Sequence, residues 1–177
     1  MFVEKMHFPH KDVRPDLPDD YVYWSMLVPS RLLGPTEEML TQALQWPPHE
    51  LSLMLTSEWD PSIRCLAELQ DRSQAAALRI ITTVPDLPKW ASTSRVTLLE
   101  DSIHVMSPAG GVGAATALQD AATLTKILAR DGLSTASIRE YEDTMREYAK
   151  AALTRSFRGG KKLFGQPPYD QRKEVAI

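Results

Sequence analysis

The chain has 177 residues, which is enough for one sizeable domain and short for two. Its hydrophobic content of 43% and charged content of 24% are typical of a globular protein in water. The net charge of −3 argues against nucleic acid as a partner, and no apolar run reaches the roughly 18 residues of a membrane span. The single cysteine, Cys65, excludes an intramolecular disulfide and favours a reducing compartment, so we expect a cytoplasmic protein.

The first half of the chain predicts one strand and three short helices. Residues 1–20 carry prolines among charges and predict an extended entry segment or loop. Residues 21–28 are aromatic and apolar and predict a strand that ends at Pro29. Three helices are predicted next, over residues 37–45 with Thr36 as N-cap, over residues 50–57, and after Asp60.

The second half predicts two strands and then a helix. Residues 77–83 and 95–99 are rich in β-branched residues and leucine, which is typical of strands. A helix is predicted from about Val112 to Ala129, and Gly132 is expected to end it. Its inner face is predicted to consist of Ala114, Ala117, Leu118, Ala121, Leu124 and Leu128.

A longer helix is predicted from about Thr135 to Arg158, with Ser134 as its N-cap. Apolar residues recur at spacings of three and four, at Ile138, Tyr141, Met145, Tyr148 and Ala152. Charged residues are expected on its solvated side, namely Arg139, Glu140, Glu142, Asp143, Arg146 and Glu147. Gly159 and Gly160 are expected to end the helix, and the remaining tail is expected to form an arm.

The segment before the first long helix has the composition of a ligand site. It holds the acidic turn Glu100-Asp101 and then the run Pro108-Ala109-Gly110-Gly111-Val112-Gly113. A helix N-terminus presents unpaired N–H groups and partial positive charge, and glycines let a ligand approach that backbone. Asp101, at the end of a predicted strand, is placed to accept hydrogen bonds from ligand hydroxyls. The pattern favours an anionic or carbonyl-rich ligand, and glycines that only make a tight turn are the alternative.

Residues 98–121 resemble the second FAD motif of aromatic-hydroxylase-type (class A) flavin monooxygenases. That motif has a Gly-Asp turn, a Pro-x-Gly-Gly-x-Gly loop, and a helix that carries Asp-Ala, here Asp120-Ala121. Further parts of the chain are similar to the family, namely Trp90, the helical pattern Tyr141-Glu142 with Arg146, and the strand around Trp24. The resemblance extends from about Tyr21 to Phe164.

The resemblance implies a mixed α/β fold in two parts. Residues 1–90 would be a partial substrate-binding sheet with helices. Residues 91–177 would be the C-terminal part of the FAD-binding domain, with its strand, glycine loop and helix, followed by a long C-terminal helix.

FAD is the implied cofactor, with Asp101 on its ribityl chain, Pro108 near the flavin ring and the backbone of residues 110–113 facing the pyrimidine edge. There the oriented N–H groups would stabilise negative charge on reduced flavin. The implied cofactor-binding residues are Asp101, Pro108, Gly110, Gly111, Val112, Gly113 and Ala114. No catalytic residue or metal ligand is implied.

The implied activity is that of an oxidoreductase that uses NAD(P)H and hydroxylates an aromatic or polyketide-like small molecule. Three features differ from the family pattern. No G-x-G-x-x-G run precedes residue 98, Glu100 replaces a glycine, and Ala115 replaces a frequent asparagine. We therefore expect a truncated C-terminal part that does not sustain monooxygenase activity by itself.

The alternative is a module without a cofactor. It would bind an aromatic or apolar small molecule through Tyr21, Tyr23 and Trp24, or dock onto a chain that carries the missing N-terminal half.

Overall fold

The computed structural model describes residues 1–172, which form two compact units, residues 1–79 and residues 80 onward. The predicted mixed α/β class is confirmed. Within the described residues, strands occur in one antiparallel hairpin. The domain boundary at residue 90 concerns the parts of the family fold and stays a prediction.

The N-terminal unit opens with strands β1 (Phe2–Met6) and β2 (Tyr21–Ser25). The strands are antiparallel, and Met6 pairs with Tyr21 at the closed end of the hairpin. The prediction for residues 1–20 was an extended segment or a loop, and β1 shows that its first part is extended and paired. Its backbone groups are satisfied by the aromatic strand β2, and the prolines that predicted a loop lie after the strand has ended. β2 confirms the predicted strand but ends at Ser25 rather than Val28.

Three helices follow the hairpin, α1 (Glu37–Leu44), α2 (Pro48–Leu55) and α3 (Pro61–Glu68). Thr36 caps α1 as predicted, because its hydroxyl accepts the N–H of Met39 at 3.2 Å. Asp60 caps α3 by accepting the N–H of Ser62 at 2.9 Å. The buried apolar residues of this unit are Leu40, Leu51 and Ala67. With so few of them, most apolar side chains of the hairpin stay exposed.

The C-terminal unit contains the short helix α4 (Asp101–His104) and the long helices α5 (Gly113–Asp131) and α6 (Thr135–Phe164). Ser134 caps α6 as predicted, since its hydroxyl accepts the N–H of Ser137 at 3.1 Å. Gly132 ends α5 with a φ of +71°, also as predicted. The core consists of Leu87, Ile103, Ile127, Tyr141, Met145, Ala149 and Leu153. No helix within residues 1–172 has both the length and the apolar character to cross a bilayer.

The two predicted strands at residues 77–83 and 95–99 are wrong, because neither segment pairs with a strand in the described part of the chain. The N–H of Thr83 donates to the carbonyl of Val105 at 2.8 Å, which joins the first segment to the site region. The second segment is held by α6, where the hydroxyl of Tyr141 donates to the carbonyl of Leu98 at 3.1 Å. Extended backbone becomes a strand only when a neighbouring strand takes up its hydrogen bonds.

The inner face of α5 also differs from the prediction. Thr116, Asp120 and Ile127 are buried, whereas Leu118 is 73% exposed and Ala121 lies in solvent. The apolar pattern failed because two of the three inward positions are polar. Such residues are buried when their polar atoms find partners, as the Thr116 hydroxyl does by donating to the carbonyl of Val112 at 2.8 Å.

Helix α6 continues through Gly159 and Gly160 and ends at Gly165, so its predicted end is wrong. Gly165 has the left-handed φ of +62° that is typical of a helix end, and its N–H donates to the carbonyl of Gly160. The two earlier glycines have helical backbone and therefore require another explanation.

A close approach between α6 and the glycine loop explains Gly159. A Cβ at Gly159 would lie 2.5 Å from the carbonyl oxygen of Ala109. In the opposite direction, a Cβ at Gly110 would lie 2.8 Å from the Cα of Ser156. Each glycine removes a side chain from the path of the other backbone, so the loop lies directly on the helix.

We predict that Gly159→Ala lowers the free energy of unfolding by about 1–3 kcal/mol, because its methyl overlaps the carbonyl of Ala109. Alanine favours a helix over glycine by about 1 kcal/mol, which acts in the opposite direction. Gly160→Ala is the matched control, since its methyl meets the movable side chain of Gln166. Urea denaturation measures both variants, and equal stabilities would contradict the close approach.

Candidate functional site

An acidic turn leads into α4 and carries the predicted site residue Asp101. Glu100 has φ +57° and ψ −138°, and among the described residues it is the one non-glycine with a positive φ. These angles belong to the first central position of a type II′ turn, which glycine normally occupies. The side chain of Asp101 is exposed, and its carboxylate has no hydrogen bond or ion pair within residues 1–172.

Asp120 of α5 anchors this turn from the interior of the unit. Its side chain is fully buried, with 0% exposed. Oδ2 accepts the N–H of Glu100 at 2.8 Å and lies 2.7 Å from Nε2 of His104. Oδ1 accepts the hydroxyl of Tyr148 on α6 at 2.6 Å. One carboxylate therefore ties the acidic turn to both long helices, and His104 is a structural histidine with a hydrogen-bond partner.

One side of the glycine loop packs against α6. Its first part, Pro108–Gly110, is a single 3-10 turn. Ser107 precedes this turn and is buried, and its carbonyl accepts the hydroxyl of Ser156 on α6 at 2.5 Å. Gly111 then takes the left-handed φ of +60°, which redirects the chain into α5.

The opposite side of the loop is open. A Cβ at Gly111 would meet no atom within 4 Å, and one at Gly113 would meet Cγ of Met106 at 3.8 Å. Helix α5 begins here without a side-chain cap, because Val112 makes none. The N–H groups of Gly113 and Ala114 have no acceptor in the described part of the chain. A bare helix N-terminus of this kind presents partial positive charge to an approaching ligand.

The three glycines of the loop therefore have different reasons to be glycine. Gly110 packs against the backbone of α6, and Gly111 makes the turn. Gly113 has no positive φ and has room for a methyl group, so nothing within the described protein requires glycine there. The tight-turn alternative accounts for Gly111 but leaves Gly113 unexplained.

The predicted site residues fall into two groups within the C-terminal unit. Those from Gly110 to Ala114 form one loop–helix junction, with Pro108 exposed just before it. Asp101 lies on the separate acidic turn, which Asp120 anchors to α5. Asp120 is seven residues beyond Gly113, a distance of about 10 Å along the helix. Their roles toward a ligand stay predictions.

Glu142 was predicted on the solvated side of α6, and that prediction is wrong. Its side chain is 0% exposed. One oxygen accepts the indole N–H of Trp90 at 2.8 Å and the hydroxyl of Thr97 at 3.1 Å, and the other accepts the hydroxyl of Ser92 at 2.6 Å. Three hydrogen-bond donors make the burial of this carboxylate possible. The donors lie outside the helix, so the periodicity of the helix sequence could not predict them.

Arg146 is also withdrawn from solvent, with a side chain only 12% exposed. Its guanidinium lies 4.3 Å from the centre of the Trp90 ring, and its Nε donates to the carbonyl of Pro88 at 3.2 Å. Together with Tyr141 and Glu142 it clamps residues 88–98, the segment that leads into the acidic turn. The pattern of Tyr141-Glu142 with Arg146 in the sequence was the signal for this clamp.

Burial raises the pKa of the Tyr148 hydroxyl far above its ordinary value, and its hydrogen bond to Asp120 raises it further. Burial likewise raises the pKa of Tyr141, with the charge of Asp120 adding to the effect. Both phenols therefore remain protonated donors at neutral pH.

We predict that Glu100→Gly raises the free energy of unfolding by about 1 kcal/mol, because glycine adopts the turn conformation without strain. Glu100→Ala is the control, since it removes the carboxylate but keeps the Cβ that causes the strain. Thermal or urea unfolding compares the variants. A gain in the alanine variant equal to that in the glycine variant would show that charge, rather than backbone conformation, is responsible.

We predict that stability falls as the pH rises above about 10, the ordinary pKa of tyrosine. In the unfolded chain Tyr141 and Tyr148 ionise there, whereas their raised pKa values keep the folded state protonated. The folded state then binds more protons, so rising pH favours unfolding. Tyr148→Phe should reduce this slope, measured by urea denaturation at several alkaline pH values. Tyr23→Phe, at an exposed tyrosine, should leave it unchanged.

Comparison with known proteins connects this site to a family. Residues 82–156 match the model of a family described as FAD binding domain. The chain is 47% identical over 161 residues to the dual O-methyltransferase/FAD-dependent monooxygenase CTB3 of Cercospora beticola, covering 86% of this chain and 18% of that protein. It is 36% identical over 207 residues to the protein of the same description, elcB, of Phaeosphaeria nodorum, covering 95% of this chain and 22% of that protein.

A bacterial enzyme also matches. The chain is 33% identical over 120 residues to the 6-hydroxynicotinate 3-monooxygenase of Bordetella bronchiseptica, covering 66% of this chain and 30% of that enzyme. No solved structure matches the chain significantly.

The chain spans 18% and 22% of the two fungal relatives, about a fifth of their length. The family match contains the acidic turn, the glycine loop, Asp120 and the part of α6 that carries Tyr141, Glu142 and Arg146. These are the parts that carried the resemblance in the sequence. FAD is the cofactor of this family. Residues 82–156 are therefore similar to the FAD binding domain, and the chain as a whole is similar to about a fifth of two FAD-dependent monooxygenases.

Proposed function

We propose that residues 99–115 form the flavin-facing part of the FAD site of a monooxygenase that uses NAD(P)H. Its substrate would be an aromatic or polyketide-like small molecule that receives a hydroxyl group. The observation that carries the proposal is the open N-terminus of α5, where no contact among residues 1–172 requires Gly113 to be glycine.

The loop–helix junction fits the flavin end of the cofactor. The flavin ring carries carbonyl oxygens on its pyrimidine edge, and these accept hydrogen bonds. Within the described residues, the N–H groups of Gly113 and Ala114 have no acceptor, and no side chain caps the helix, so these groups can donate to the ring. Ala114 and Ala115 are small and exposed, so a flat ring can approach the helix closely. These residues would hold the ring by its edge.

Asp101 fits the ribityl chain of the cofactor. The ribityl hydroxyls are donors, and an ionised carboxylate is a strong acceptor for them. The Asp101 carboxylate is exposed and has no partner within the described residues, so binding does not require it to break an existing bond.

When bound, FAD supplies the redox chemistry, taking electrons from the nicotinamide and using them to activate oxygen. The residues of this chain would position the flavin ring and provide the electrostatic environment of its edge. The partial positive charge at the start of α5 favours negative charge at the ring edge. Pro108 is exposed at the beginning of the loop and would border the ring without donating a hydrogen bond.

The residues of this chain do not fit the pyrophosphate end of FAD. The sequence contains no G-x-G-x-x-G run, which holds the pyrophosphate in dinucleotide-binding folds. Glu100 also adds a negative charge beside the site. We propose that a polypeptide segment with a dinucleotide-binding motif completes the site. Residues 1–177 alone would then bind FAD weakly and show little monooxygenase activity.

A second candidate function is binding of an apolar small molecule without a cofactor. The exposed apolar side chains of the hairpin favour it, since Tyr21, Val22 and Tyr23 are 46%, 52% and 48% exposed. This candidate would be supported if the protein does not bind FAD and its melting temperature rises in the presence of apolar aromatic ligands.

The test of the flavin site is a titration of the full chain with FAD, followed by flavin fluorescence. We predict saturable binding that Gly113→Leu weakens at least tenfold, because the side chain fills the open face of the loop. Asp101→Ala should weaken binding by a similar factor through the lost ribityl bonds. Neither variant should lose stability, since a Cβ at Gly113 meets only Cγ of Met106 at 3.8 Å and Asp101 has no partner within residues 1–172.

Ala129→Leu is the matched control for Gly113→Leu, because Ala129 is exposed at the far end of the same helix. It should bind FAD like the unmodified chain. Absence of saturable binding in the unmodified chain, or equal affinity of the two leucine variants, would contradict the proposed site.

A further inference from the structure

We infer that Asp120 is a positioning residue of the flavin site, which sets the affinity for FAD by fixing the acidic turn. This inference rests on the proposed function. Asp120 is 0% exposed, so its carboxylate is closed off from any ligand. Its influence on the cofactor must pass through the residues that it holds.

The Asp120 carboxylate contacts the chain at both ends of α4. Glu100 directly precedes this four-residue helix, and His104 is its last residue. Oδ2 of Asp120 binds both, through the N–H of Glu100 at 2.8 Å and Nε2 of His104 at 2.7 Å. Asp101 lies between these two contacts. A single oxygen atom therefore brackets the residue that is proposed to meet the ribityl chain.

The backbone of Glu100 shows why the turn needs an anchor. Its φ of +57° is unfavourable for a residue with a side chain and persists only where the surroundings impose it. The carbonyl of Glu100 accepts the N–H groups of Ile103 and His104, but these bonds lie within the turn and α4 and would move with them. The bond from the N–H of Glu100 to Asp120 ties the turn to another helix.

Loss of this bond would let Glu100 relax to an ordinary backbone conformation. Asp101 follows it directly in the chain and would turn with it. The exposed Asp101 carboxylate would then lose its fixed direction relative to the N-terminus of α5. The two parts of the proposed flavin site, Asp101 and the loop–helix junction, would no longer keep a fixed distance and orientation. Affinity falls when a binding group must be ordered during binding.

Glu142 offers a matched comparison for the structural role of a buried carboxylate. It is also 0% exposed, lies in the same unit and accepts hydrogen bonds from three donors. Those donors belong to Trp90, Ser92 and Thr97, before the acidic turn. Removal of Glu142 should destabilise the unit without releasing Glu100.

The experiment compares Asp120→Ala and Glu142→Ala in the full chain, by FAD titration and by amide hydrogen exchange of residues 99–104. We expect Asp120→Ala to weaken FAD binding at least tenfold and to lose protection of the Glu100 amide. Glu142→Ala should change the affinity less than threefold and keep that protection. Asp120→Asn retains one acceptor oxygen and should recover part of both properties.

Unchanged FAD affinity in Asp120→Ala, or an equal loss in both alanine variants, would overturn the inference. If Asp120→Ala does not fold, the two sides of the carboxylate can be tested separately. His104→Leu removes a partner of Oδ2 and should weaken FAD binding. Tyr148→Phe removes the partner of Oδ1 and should not, and the reverse pattern would overturn the inference.

Failure of the proposed function is distinguishable from failure of the inference. If the unmodified chain binds no FAD, the proposed site is wrong, and amide exchange without ligand still decides the role of Asp120. Selective loss of Glu100 protection in Asp120→Ala would then support its control of the turn. Equal protection in both alanine variants would overturn it.

Discussion

The burial of the Asp120 carboxylate between α5 and α6 is the constraint on which the C-terminal unit depends. A buried carboxylate is stable only when donors surround it, and here one backbone N–H, one imidazole and one phenol converge on it. These donors come from the acidic turn, from α4 and from α6. Satisfying one charge therefore determines where three elements of the unit must lie, and it does so directly beside the proposed cofactor site.

The contact between the glycine loop and α6 is the second constraint on the C-terminal unit. Gly110 and Gly159 let the backbone of the loop lie against the backbone of α6, and the hydroxyl of Ser156 adds a hydrogen bond to the carbonyl of Ser107. The loop is thereby held from one side, while Gly113 and the start of α5 remain open on the other. This asymmetry leaves one side of the loop packed on α6 and the other side accessible to the ligand that we propose.

Much of the C-terminal unit was predictable because helix periodicity and capping act there without opposition from tertiary contacts. Both long helices, the Ser134 cap and the Gly132 end follow from periodicity and capping. The errors occur where a tertiary contact outweighs a local preference. Gly159 and Gly160 predicted a helix end, yet α6 continues through both, and the backbone of Ala109 lies where a Cβ at Gly159 would be. Glu142 was counted as solvated, and its three donors come from a segment about 45 to 52 residues away in the chain.

The sequence by itself determined the similarity to FAD-dependent monooxygenases, through the block of residues 98–121, and the order of the helices, because both depend on short-range residue patterns. The tertiary structure alone decided which glycine has open space around it and which residue anchors the acidic turn. It also decided that residues 77–83 and 95–99 are not strands in the described chain. The reason is physical. Packing space, buried hydrogen bonds and strand pairing each require a partner that is distant in sequence, and periodicity carries no information about that partner.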